Sequence, residues 1–277
     1  MRTQERTDFM SVGPTGRPRG PWRAVAVPSE HGGWGLTGEP ILLGLLVAPT
    51  LAGALVGFAG LLAFLARTPL KVCLVDRARD RVLPRTRRAA VVVSIEIAAI
   101  AALVVAAVSI SPHVFLWPAL LAAPLVGLEL WFDMRSRSRR LAPELSGAVG
   151  IAALAPMVAM AGGADPALAV ALWLVLAARA VTSIPWVRRQ VLALHGRPDS
   201  DPTQMVWDVA AVALAAAAVA VSPPAVVGTL AVFAVIVVQR AMAGSTQRAV
   251  ILGIRQTALG LAVVTATWAG TFVVAAG

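Results

Sequence analysis

Tyrosine is absent from this 277-residue chain, cysteine occurs once and histidine three times, and charged residues make up only 14% of it. A single cysteine, Cys73, excludes an intramolecular disulfide and any cysteine metal cluster. The shortage of charge, set against 58% hydrophobic residues and a mean hydropathy of +0.79, excludes a water-soluble domain of this size. Basic charge is also missing from particular places. The turns around Pro49, Ser111–His113, Gly162–Pro166 and Ser222–Pro224 carry no Lys or Arg.

All 24 Lys and Arg residues lie in the N-terminal stretch or cluster in and near the alternate gaps between apolar runs, with Arg179 and Arg255 inside the runs themselves. Arg2 to Arg23 precede the first run; Arg67, Lys71, Arg77, Arg79, Arg81, Arg85, Arg87 and Arg88 fill the next basic gap. Arg135 to Arg140 form the third group, Arg179 to Arg197 the fourth, and Arg240, Arg248 and Arg255 the last. Such alternation is the positive-inside pattern of a multi-pass membrane protein. It assigns the net charge of +10 to anionic lipid headgroups and topology rather than to nucleic acid.

A helix needs about 20 mostly apolar residues to cross the hydrocarbon core, and that ruler gives about nine spans. They are expected near 35–49, 51–67, 89–109, 114–132, 145–162, 167–186, 205–221, 225–240 and 249–275. The non-basic turns are short and built from Pro, Gly and Ser, as hairpins between antiparallel helices are. The basic segments are longer and leave room for loop structure. An odd count places the N-terminus in the cytoplasm and the C-terminus outside, as expected of an inner-membrane protein. Residues 1–24, polar and rich in Pro, Gly and Arg, are expected to be a disordered cytoplasmic tail before one transmembrane helical domain over 25–277. Gly44, Gly53, Gly57, Gly60, Gly147 and Gly150 are of the kind that lets membrane helices approach closely.

Ionisable groups at membrane depth are function candidates, because lipid penalises them unless they face a partner or water. Glu39, Glu96 and Glu129 qualify, with Arg179 and Arg255 as counter-charges. They form either structural ion pairs or the lining of a polar cavity, which would suit a transporter or small-solute carrier. Ser29 or Glu30 is expected to cap the first span, and Glu30-His31 is a weaker pointer to metal or protons. Asp76 and Asp80, four residues apart, would share one face of a helix. Two such carboxylates suit Mg²⁺ bridging to a diphosphate, but flanking arginines equally form ordinary ion pairs or take phosphate without metal.

Two family likenesses follow from strings in this sequence. Pro28-Ser29-Glu30-His31-Gly32-Gly33-Trp34, Glu39-Pro40, Ala63 to Lys71, Pro143 to Gly147, Val187-Arg188 and Gly253-Ile254 resemble the YwiC-like family of bacterial membrane proteins. More distantly, the nine-span all-α plan is similar to the UbiA-type intramembrane prenyltransferases. That likeness implies aspartate motifs in the loops after the second and sixth spans, binding an isoprenoid diphosphate through Mg²⁺. It would give Asp76 and Asp80 to the metal, and Arg77, Arg85, Arg139, Arg188 and Arg189 to the phosphates, at the cytoplasmic face. The loop after the sixth span carries Arg188 and Arg189 where the second aspartate motif would begin.

Overall fold

The computed structural model describes residues 20, 22–26, 31–111, 114–135, 140–196, 203–242 and 248–273. Residues 1–19, where the tail was expected, and Ser29, Glu30 and Arg139 lie outside that set. Every secondary-structure element among the described residues is helical. A short α1 (Arg23–Ala26) leads to α2 (His31–Val47), α3 (Leu51–Arg77), α4 (Pro84–Ile110), α5 (Trp117–Met134), α6 (Leu141–Ala152) and α7 (Leu154–Ala161). Then follow α8 (Pro166–Leu194), α9 (Gln204–Val221), α10 (Val226–Ala241) and α11 (Ala249–Val273).

Each of the nine expected runs contains a helix, and the turns between them have visible causes. Thr50 caps α3 by accepting from the Gly53 amide at 3.1 Å, and Pro84 and Pro166 open α4 and α8 where no donor is needed. Asp165 caps α8 by accepting from the amides of Ala167 (2.8 Å) and Leu168 (3.1 Å). Two boundaries differ from expectation. The run 145–162 is two helices, α6 and α7, interrupted at Ala153. Pro156 explains the break, since it lacks the amide that would pair with the Ala152 carbonyl. The second span extends past Pro69 to Arg77, so most of the basic gap is helix and not loop. Packing of α3 along the length of α4 sustains that extension.

Among the described residues, seven helices are long and apolar enough to cross a membrane: α3, α4, the joined α6–α7, α8, α9, the turn before α10 together with α10, and α11. The helices α2, with 17 residues, and α5, which carries Glu129 and Asp133, fall short of that measure. They differ in position. The α2 helix packs on α3, α6, α7, α8 and α11, so that an early helix meets the last described one. The α4 and α5 helices are peripheral and leave apolar faces outward, including Ile95, Val105, Leu120 and Leu121.

Alternating helix direction gathers the basic ends at one end of the bundle. The ion pairs join the second half of α3 to the end of α5, the start of α6 to the end of α8, and the start of α9 to the end of α10. The opposite end is held by short polar contacts, such as Ser111 Oγ donating to the Ala161 carbonyl at 3.1 Å. Close helix approach is visible at Gly44, where an added Cβ would lie 2.6 Å from the Val158 Cβ on α7.

Candidate functional site

Where α2, α8 and α11 meet, two opposite charges are enclosed by protein. Glu39 Oε2 and Arg179 Nη1 lie 2.8 Å apart, and both side chains are only 5% exposed. Arg179 Nη2 donates to the Gln256 backbone carbonyl at 2.8 Å. Gly260 makes room, because a Cβ there would overlap Glu39 Oε1 and Arg179 Nη2. Helix geometry brings these groups together: Gln256 and Gly260 are one turn apart on the face of α11 that meets α8 and α2. Three polar groups in this junction have no hydrogen-bond partner: Arg179 Nε and the amide nitrogen and oxygen of Gln256. Beside them lies a cavity of about 220 Å³ between α8, α10 and α11, whose wall includes Gln256 and Arg255.

A second polar centre, at the start of α9, joins it to the second half of α8 and the end of α10. Asp208 accepts from Thr182 Oγ1 (2.6 Å), Gln204 Nε2 (2.8 Å) and Arg240 Nε (2.7 Å). Gln239 Nε2 donates to Ser183 Oγ at 2.9 Å, and Trp186 Nε1 to the Gln239 carbonyl at 3.0 Å. Sequence reasoning missed this network. Its signal was faint: Gln204 and Asp208 at helical spacing, and the neutral pair Thr182-Ser183 inside an apolar run.

The expected charge partners are regrouped. Glu39 does pair with Arg179, but Glu129 pairs with Arg67 at 2.9 Å. Arg67 also reaches Asp133 (3.1 Å), and Lys71 reaches the other Asp133 oxygen (3.0 Å). Arg255 is exposed, with Nη1 3.8 Å from Met242 Sδ. Glu96 is half-buried on α4 and its Oε2 has no partner.

The aspartates of the α3–α4 hairpin do not share a helical face. The helix closes in a Schellman arrangement, in which the amides of Asp80 and Arg81 donate to the carbonyls of Arg77 (3.1 Å) and Asp76 (2.9 Å). Asp80 takes the left-handed position of that cap, at φ 50°, and is exposed. Asp76 is 1% exposed, and its two oxygens are engaged by Arg85 (Nη2 2.7 Å, Nε 3.1 Å) and by Thr86 Oγ1 (2.6 Å). A carboxylate so occupied does not suit Mg²⁺, which needs free oxygen donors. Among the described residues no group of three or more His, Cys, Asp or Glu could hold a metal ion. Asp80, Arg77 and Arg81 instead border a shallow cleft of about 500 Å³ with Cys73 and Thr86. Arg188 belongs elsewhere, 3.4 Å from Glu144 between α6 and α8, and Arg189 is half-buried on α8.

No curated protein and no solved structure matches this chain. Residues 27–159, from the end of α1 through most of α7, match the family model described as YwiC-like protein, so the first half of this multi-helix membrane chain carries the pattern of the YwiC-like family.

Proposed function

We propose that this chain is a nine-span inner-membrane transporter, N-terminus in the cytoplasm and C-terminus outside, whose small solute is the proton and passes through the junction of α2, α8 and α11. One observation supports the reading above others: Glu39 and Arg179 are enclosed together while neighbouring polar atoms of Arg179 and Gln256 stay unpartnered. Buried polar atoms are nearly always paired in native proteins, so unused donors and acceptors beside a buried ion pair favour a transient polar occupant. The short α2 spans in this reading because other helices surround it, and about 26 Å of helix then suffices without a fully apolar surface. The α5 helix spans because Arg67 and Lys71 neutralise its two acids at the basic end.

The test is proton uptake in proteoliposomes, followed with an internal pH dye under an imposed potassium diffusion potential. Wild-type protein is expected to raise the rate above empty vesicles, and Glu39→Gln to remove at least nine-tenths of the increase. Glu96→Gln reports whether the unpartnered acid on α4 shares the path. A wild-type rate equal to that of empty vesicles refutes the proposal.

A second reading has one observation in its favour, the cleft bordered by Arg77 and Arg81 at the tip of the α3–α4 hairpin. It would take an isoprenoid or other lipid phosphate by guanidinium contacts alone, in keeping with the UbiA-type likeness but without a metal. Binding of a prenyl diphosphate is then expected to be indifferent to Mg²⁺ and to Asp80→Ala, and to weaken in Arg77→Ala and Arg81→Ala. Binding that needs Mg²⁺ and Asp80 would restore the metal site.

A further inference from the structure

The cavity between α8, α10 and α11 has a one-sided chemistry. Its walls are apolar, with Trp186, Val238, Met242 and Leu259, apart from Gln239 and a polar corner formed by Gln256 and Arg255 on α11. The Gln239 side chain is spent inside the protein, since its amide nitrogen donates to Ser183 and its amide oxygen accepts from Thr182. Gln256 is different: its amide nitrogen and oxygen are both buried and both without a partner. Arg255 is exposed, and its hydrogen-bond contact is the weak acceptor Met242 Sδ at 3.8 Å. A guanidinium and an unused carboxamide at one end of an apolar space form a head site over a tail site.

We propose that this cavity binds a single-chain anionic amphiphile dissolved in the membrane. Its carboxylate or phosphate head lies against Arg255 and Gln256, and its chain lies along Leu259 and Val238. A guanidinium and a carboxamide N–H both donate to an oxyanion, which an alcohol or an alkane cannot match. At roughly 30 Å³ for each water-sized group, the volume of about 220 Å³ holds a head and a short length of chain, and the rest of a longer tail remains in lipid. The Gln256 backbone carbonyl also accepts from Arg179, so an occupant here touches the residue that anchors the buried ion pair. Equilibrium binding at this cavity does not require that the protein transport anything.

The test is equilibrium binding to the full chain in lipid nanodiscs, with decanoate, decyl phosphate and decanol as probes. Wild type is expected to bind both anions saturably and decanol at least tenfold more weakly. The ranking of the two anions then separates a carboxylate from a phosphate head. Arg255→Gln, at an exposed position, should weaken the anions about tenfold and leave decanol unchanged. Leu259→Phe, which fills the space, should abolish saturable binding of all three, and Gln256→Leu should weaken the anions. Three results overturn the proposal: no saturable binding by wild type, decanol binding as tightly as decanoate, or anion binding unaltered in Arg255→Gln.

Discussion

Replacing Gly260 by alanine sets two opposite effects against each other on one helix. Alanine is the better helix former, by about 1 kcal/mol in an exposed helix interior. At Gly260, however, the new methyl falls on Glu39 Oε1 and Arg179 Nη2, which are already fixed against each other at the α2–α8 contact. Overpacking a filled site costs about 1–3 kcal/mol, and separating a buried ion pair costs about 3–5 kcal/mol. A methyl that shifts the pair without separating it therefore costs about 3 kcal/mol, for a net loss of about 2 kcal/mol. At roughly 2–4 °C per kcal/mol for a chain of this size, the thermal midpoint should drop on the order of 5 °C. Gly253 supplies the control within α11, because a Cβ there meets nothing within 4 Å. Gly253→Ala should leave the midpoint unchanged or raise it slightly. The assay is intrinsic tryptophan fluorescence during heating in one detergent at fixed lipid content. Equal midpoints for the two variants would show that the Glu39–Arg179 pair yields freely, and the argument for a tightly enclosed junction would fail.

Asp133→Asn removes the charge on which Arg67 and Lys71 converge, and, with both partners partly exposed, should cost about 2 kcal/mol by the same assay. Asp76→Ala should lower the thermal midpoint by leaving Arg85 and Thr86 without their shared acceptor, whereas Asp80→Ala should not; equal losses would mean that the hairpin tip is arranged differently. In a Cys73→Ser background, a membrane-impermeant maleimide applied to intact cells should label Ala167→Cys and spare Ala78→Cys, and the reverse pattern would invert the proposed topology.

What the sequence made legible was decided by the lipid acting on each segment separately. A run such as 89–109 must be a helix if it crosses hydrocarbon, because no water is there to satisfy its backbone, and α4 (Pro84–Ile110) bears that out. The gathering of Arg67, Arg188 and Arg240 at one end follows from the same logic, applied to where charge is absent. Partner choice is another matter. Glu129 pairs with Arg67 on α3, and not with Arg179 or Arg255, because α5 lies beside α3 and α6. Depth in the bilayer is encoded within one helix, but adjacency is set by how all the helices fit. Asp208 was hard to see for this reason: its partners Thr182, Gln204 and Arg240 come from three helices, and two of them are uncharged. The Asp76–Asp80 spacing misled because it presumed that the helix continues, whereas the chain turns at Asp80, which takes a positive φ. Lipid enforces helix and depth strongly and helix adjacency weakly, so the unsatisfied Gln256, a product of adjacency, had to be found in three dimensions.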